Sequence, residues 1–135
     1  MRIMGLDLGT KNIGVALSDE TGVLARGHET ILRISDKLAI EKIREIVDEF
    51  KVREIVVGMP IHMNGTVGER GRDSMRFVEK LKKATGLPVQ LWDERLSTKE
   101  AEDIMIKASL TRKKRKKIVD RLAAQIILQG YLDSK

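Results

Sequence analysis

The spacing of apolar positions divides the chain into segments of different character. Ile3 to Leu8 is a nearly continuous apolar run, Gly9-Thr10-Lys11-Asn12 is a turn, and Ile13 to Leu17 is a second run. Asp19-Glu20-Thr21-Gly22 turns the chain again ahead of Val23 to Thr30. Turns this short force antiparallel pairing, so these segments predict a three-stranded meander. From about Ser35 the period becomes helical, with Ala39, Ile40, Ile43, Ile46, Val47 and Phe50 on one face. Ile55-Val56-Val57 is a short unbroken apolar run, as in a strand buried on both faces. Met75, Phe77, Val78 and Leu81 mark another helix, which Gly86 ends and Pro88 follows. Val89 to Trp92 is the next strand. Ser97 and Glu100 have capping-box spacing and predict a helix start, and a last helix is expected from about Arg112 to Leu132.

The resulting order is β-β-β-α-β-α-β-α-α. A meander followed by β-α-β units predicts an α/β fold with a five-stranded mixed sheet flanked by helices. Right-handed crossovers put the fourth strand beside the first, which gives strand order 3-2-1-4-5, the ribonuclease H-like plan. At 135 residues the chain is expected to form a single domain over 1–135, with room for one core but not for two lobes around a cleft. The absence of cysteine excludes disulfides, zinc fingers and thiol nucleophiles. No apolar run reaches a membrane span, and the opening segment meets Asp7 and glycines too early for a signal peptide, so a soluble, cytoplasmic protein without membrane association is expected.

Charge changes this picture through its placement. The formal net charge is +6, and residues 109–135, with eight basic and two acidic side chains, carry all of it. A basic block on an otherwise balanced chain suits a polyanionic partner, although a solubilising tail has the same composition. Its centre is Arg112-Lys113-Lys114-Arg115-Lys116-Lys117. Such charge at a helix start opposes the positive end of the macrodipole, so helix stability does not select it, whereas a phosphate backbone would.

Three carboxylates stand in unusual positions. Asp7 interrupts the first strand between Leu6 and Leu8, which would be central in this sheet. There it must be paired, bound to metal or protonated, unless it is a strand-end residue bonding to the turn at Gly9 and Thr10. Glu94 directly follows the fifth strand within Asp93-Glu94-Arg95, at the strand ends where α/β sheets gather ligands. An ordinary loop carboxylate paired with Arg95 reads the same way, and Asp93 is a weaker candidate. Asp120 sits on the last helix within about 60° of Ala123, Ala124, Ile127 and Tyr131, inside the apolar stripe, with Arg121, Gln125 and Gln129 on the far side. A buried ion pair with Arg95 or Lys11 is its structural alternative. Taken together, the three acids predict an oxygen-donor site for Mg2+ or Mn2+ rather than zinc. Such ions serve phosphodiester hydrolysis. The first and fifth strands are then about 9.6 Å apart, a gap that a Glu side chain and bridging ions can span.

After the fourth strand, Gly58-Met59-Pro60 enters a loop through Asn64-Gly65-Thr66 to Gly71-Arg72, where Arg70, Arg72 and Arg76 could meet phosphates or simply decorate a connection. His62 has no evident partner and no catalytic role is assigned to it. With two Phe, one Trp and one Tyr, extensive base stacking on a single-strand platform is not expected, and recognition should rest on backbone and shape.

These motifs, taken in order, resemble one family. Gly5-Leu6-Asp7-Leu8-Gly9-Thr10-Lys11-Asn12-Ile13-Gly14-Val15-Ala16, then Val56-Val57-Gly58-Met59-Pro60 with Asn64-Gly65, then Asp93-Glu94-Arg95, then Asp120-Arg121-Leu122-Ala123-Ala124-Gln125-Ile126-Ile127-Leu128 are similar to the bacterial YqgF/RuvX family. These are small ribonuclease H-like proteins described as Holliday-junction resolvases or pre-ribosomal-RNA nucleases. The resemblance implies that Asp7, Glu94 and Asp120 are catalytic metal ligands, and that the substrate is structured nucleic acid. Within that class, 5′-end processing of pre-16S rRNA is the first substrate expected and cutting of four-way DNA junctions the second. A non-catalytic nucleic-acid-binding module is a separate alternative, which explains the basic run but not three carboxylates that repel phosphate without metal. Lys11, Arg70, Arg72, Arg95 and the run from Arg112 to Lys117 are the expected contacts to nucleic acid. An RNA nuclease can act as a monomer, alone or with ribosomal proteins, while a junction resolvase needs a homodimer. Leu6-Asp7-Leu8-Gly9-Thr10 also resembles the first phosphate loop of actin-like ATPases and sugar kinases, which clamp ATP between two lobes that this length does not provide.

Overall fold

The computed structural model describes residues 2–59, 68–93 and 112–135, with the helical backbone alone for 112–119. The elements are β1 (Arg2–Leu8), β2 (Asn12–Ser18), β3 (Ala25–Leu32), α1 (Asp36–Phe50), β4 (Val52–Met59), α2 (Glu69–Thr85), β5 (Val89–Asp93) and α3 (Arg112–Asp133). One sheet runs β3-β2-β1-β4-β5, the order expected from the meander and the two crossovers. β1 pairs antiparallel with β2 and parallel with β4, so the first strand is central. The helix expected from Ser97 lies outside the described residues, as do Pro60 to Val67 with His62 and Asn64.

Side-chain alternation gives the sheet two dry faces. Met4, Leu6 and Leu8 of β1 join Ile13, Val15, Ile55 and Val57 in a core covered by Ile40 and Ile43 of α1 and Phe77, Val78 and Leu81 of α2. Ile3, Ala16, Ala25 and Val56 face the other way, against Ala124, Ile127, Leu128 and Leu132 of α3. Burial of these aliphatic side chains, at roughly 1.5–3 kcal/mol each, is the main favourable term on both faces.

Two local devices displace elements from their expected positions. β3 begins at Ala25 rather than Val23, because the Asp19 carboxylate accepts hydrogen bonds from the Val23 and Leu24 amides at 2.8 and 3.1 Å and keeps both in the turn. With the Thr21 hydroxyl bonded to it as well, Asp19 has a pKa of about 2. α2 begins at Glu69, well ahead of the apolar positions that announced it, since its first two turns carry mostly polar residues. Gly86 ends it in the left-handed conformation at φ 68°, as its position implied.

Arg33 went unremarked in the sequence and links three elements. Its side chain is only 8% exposed. It donates to Asp36 at 2.9 Å, to Asp73 of α2 at 2.9 Å and to the Gly9 carbonyl at 3.0 Å, and it lies 5.1 Å over the Phe77 ring. Lys80 donates to the other Asp36 oxygen at 3.1 Å. Burial pushes the Asp36 carboxyl up, but the bonds from Arg33 and Lys80 outweigh it and hold the pKa below its ordinary 3.8. A depressed carboxylate pKa stabilises the fold above the unfolded value, and that contribution disappears as pH falls through the folded one. Asp36→Asn is therefore expected to cost about 1 kcal/mol at pH 7. The difference from wild type should shrink below about pH 4. Urea unfolding at both pH values measures it, and a pH-independent difference would detach Asp36 from this network.

Candidate functional site

Register places Asp7 in a lateral row of five residues. Thr30 pairs with Gly14, Gly14 with Asp7, Asp7 with Gly58, and Gly58 with Trp92. Residues paired directly across strands share a face. That face is the α3 side, because Trp92 stands edge-on to Tyr131 of α3 at 5.9 Å. Asp7 thus lies half-buried near the carboxyl end of the central strand, with a glycine on each side of it in the row.

α3 uses the first of these glycines to reach the sheet. A Cβ added to Gly14 would stand 1.8 Å from the Asp120 carbonyl oxygen, so helix backbone occupies the place of a side chain. Two residues back along β1, a Cβ on Gly5 would lie 2.7 Å from the Leu128 Cβ and 3.1 Å from the Ala124 carbonyl. The helix therefore crosses β2 and β1 in near-contact. Asp120 and Asp7 both lie within about one strand spacing of Gly14. The helical wheel put Asp120 in the sheet-facing stripe, and it is half-buried one turn before the fully buried Ala123 and Ala124.

The wheel misplaced three neighbours. Gln125 and Gln129 do not face away from the sheet, since their side-chain oxygens accept from the Gly27 and Ala25 amides of β3 at 3.0 and 2.9 Å. Gln129 also donates to the Val23 carbonyl at 2.9 Å. Backbone groups of the edge strand need partners, and these glutamines supply them. Arg121 likewise packs on this strand, its Cβ 3.3 Å from where a Gly27 Cβ would be.

Of the other expected residues, Arg70 donates to the Leu8 carbonyl at 3.2 Å, beside Asp7 in sequence. Arg72 is exposed in the same first turn of α2, and Lys11 is exposed in the turn after β1, its carbonyl accepting from the Arg33 amide at 2.8 Å. Arg76 instead lies 3.8 Å from Asp73. Arg112 to Lys117 are the first six residues of α3. Asp93 ends β5 opposite Met59, one register step from the row and on the other face. Glu94 and Arg95 lie outside the described residues; what the structure sets against the register partner of Asp7 is the backbone of the helix turn that carries Asp120. Among the described residues no group of three or more His, Cys, Asp or Glu side chains is arranged to hold a metal ion. Asp7 and Asp120 offer only oxygen donors, which suits a hard divalent cation.

Sequence reading missed the part played by Gly14 and Gly58. The available signal was a glycine inside a strand, which marks close approach of a backbone or ligand.

A family model described as "RuvX: Holliday junction resolvase" matches residues 1–134. A protein of Thermoanaerobacter pseudethanolicus, named "Putative pre-16S rRNA nuclease", is 54% identical over 136 residues, covering 100% of this chain and 98% of that one. Among solved structures, Thermus thermophilus RuvC in complex with a Holliday junction substrate superposes with a TM-score of 0.61 at 17% identity, covering 99% of this chain and 95% of RuvC. The Fowlpox virus resolvase with Holliday junction DNA gives 0.63 at 15%, covering 99% and 98%. At these identities the two structures establish the ribonuclease H-like fold.

Proposed function

Because the chain belongs to the RuvX Holliday junction resolvase family, we propose that it is a nuclease that hydrolyses phosphodiester bonds of structured nucleic acid. Residues 1–135 form a catalytic domain in this reading. The observation that carries this reading is the seating of α3 on Gly14, which brings the Asp120 turn beside Asp7. Asp7, Asp120 and Glu94, which follows β5 by one residue, hold Mg2+ or Mn2+. When bound, such ions polarise the phosphoryl group and ease deprotonation of the attacking water. The chain's own contribution is positional. The central strand fixes Asp7, and the close helix contact fixes Asp120. Gly58 places no side chain next to Asp7 in the row, and Arg70 braces the end of β1 through the Leu8 carbonyl.

The first substrate in this reading is the 5′ end of precursor 16S rRNA, on the strength of the full-length relative and its name. The protein then acts in the cytoplasm as a monomer, with ribosomal proteins among its partners. Among the described residues no helix is long and apolar enough to cross a membrane. The second substrate is a four-way DNA junction, favoured by the family description and requiring a homodimer. The test is to incubate the purified protein with precursor rRNA, a four-way junction and linear controls, with and without Mn2+. Metal-dependent cutting of the precursor alone supports the first substrate, and paired cuts in the junction support the second. Binding without cutting of either would leave only a binding module.

Arg112 to Lys117, with Lys11, Arg72 and Arg95, form the electrostatic contact to the phosphate backbone. Each phosphate neutralised contributes close to one unit to the slope of log affinity against log salt. Replacing all six residues of the run by Gln is expected to flatten that slope by about 3 units or more, measured by fluorescence anisotropy. An unchanged slope would make the run a solubility segment.

A further inference from the structure

Beside the two acids, on the β3 side of Gly14, lies an open groove of about 320 Å³ lined by Asn12, Thr30, Leu32 and Arg121. Its floor continues the row that contains Asp7, since Thr30 is the register partner of Gly14 and Leu32 that of Asn12. Thr30 therefore lies two strand spacings from Asp7, about 10 Å, within reach of a neighbouring nucleotide on the same strand. Arg121 follows Asp120 directly, so the turn that presents an acid to the site presents a guanidinium to the groove. Its stem is held against β3 at Gly27. Among the described residues no carboxylate forms an ion pair with it. Leu32, 63% exposed, gives the groove an apolar side that neither α1 nor α3 covers.

We infer that this groove binds the nucleic-acid strand flanking the bond held at Asp7 and Asp120, with Arg121 paired to a backbone phosphate. The inference deepens the nuclease reading and rests on it. The guanidinium fork matches phosphate oxygens in two-point geometry. The Asn12 amide and the Leu32 side chain suit the polar edge and the apolar body of the adjoining sugar. The volume falls at the lower end of small-ligand sites, enough for one nucleotide unit rather than a stack of bases. The groove thus fixes which side of the cut the strand enters, a role that the run from Arg112 to Lys117 does not supply.

The test compares full-length Arg121→Gln, Leu32→Glu and Leu32→Lys with wild type on a precursor rRNA fragment and on a four-way DNA junction. Val23→Glu, an equal charge change at a 60% exposed position at the other end of the β3 hairpin, is the control for general electrostatics. Arg121→Gln is expected to raise Kd and KM about tenfold, to leave kcat within about twofold, and to reduce the salt slope by about 1. Leu32→Glu should weaken binding severalfold and Leu32→Lys should tighten it, while Val23→Glu changes it by less than Leu32→Glu. The exposure of Leu32 keeps the test valid if Arg121→Gln fails to fold, which circular dichroism would show. An effect on RNA alone, or on DNA alone, identifies which strand the groove takes. Unchanged binding in both Arg121→Gln and Leu32→Glu, or a fall in kcat with Kd constant, overturns the inference while wild-type cutting leaves the nuclease reading standing. A wild type that neither binds nor cuts either substrate overturns both.

Discussion

Asp7→Asn protein is expected to retain its fold and lose about a thousandfold in metal-dependent cutting. The substitution keeps the shape of the side chain and removes the charge. Asp7 is half-buried on the central strand, and the helix turn carrying Asp120 packs against its register partner Gly14. Asn keeps the volume of the side chain and one of its acceptor oxygens, so the unfolding midpoint should stay within a few degrees of wild type. Activity should not be spared. A divalent cation supplies several kcal/mol of transition-state stabilisation, and about 4 kcal/mol corresponds to a thousandfold in rate. Asp120→Asn should behave alike. With both side chains in one metal site, as proposed, the double variant should fall little further than either single one, since residues acting as a unit are not additive. Single-turnover cutting in Mg2+ and Mn2+, together with thermal unfolding of all three variants, measures both halves of the expectation. Undiminished cutting by folded Asp7→Asn would remove the metal-site mechanism altogether.

How far the sequence revealed this arrangement depended on the range of the forces involved. Alternation, turn residues and crossover handedness act locally or follow general rules, so the meander and the 3-2-1-4-5 order were legible. Asp120 was legible because an acid among Ala123, Ala124 and Ile127 on a wheel has few ordinary explanations. Gln125 and Gln129 were not, since a glutamine reads as solvated until the amides of Gly27 and Ala25, 98 and 104 residues away, are placed under it. Arg33 was missed for the same reason. Its burial depends on Asp36, Asp73 and Gly9 arriving from separate elements, and no periodicity records that. The start of β3 was shifted by a side chain, Asp19, that competes for strand amides.

Gly14→Ala is expected to damage stability and activity together, and more than Gly5→Ala or Gly27→Ala. The added methyl would stand 1.8 Å from the Asp120 carbonyl oxygen and 2.4 Å from its carbon, while ordinary contact begins at 3.4 Å. Both atoms belong to helix backbone, so no side chain can rotate away, and α3 must lift by roughly 1.6 Å or β2 must sink into the opposite core. Overpacking of this kind costs about 3 kcal/mol, which lowers the unfolding midpoint by about 10 °C for a domain of this size. Lifting the helix also carries Asp120 away from Asp7. A displacement near 1 Å at a reacting centre costs about a hundredfold, so activity should fall by that order even where the variant remains folded. Gly14, Gly5 and Gly27, where an added Cβ would meet α3, then form a graded series. Gly5→Ala meets the Leu128 Cβ at 2.7 Å, about two helical turns beyond Asp120, and should be destabilising with a smaller loss of activity. Gly27→Ala meets Arg121 at 3.3 Å and should cost less than about 1 kcal/mol. Measuring midpoints and cutting rates for all three tests the ranking. Gly14→Ala with wild-type stability would mean that α3 does not rest on β2 at this point, and the proximity of the two acids would lose its structural basis.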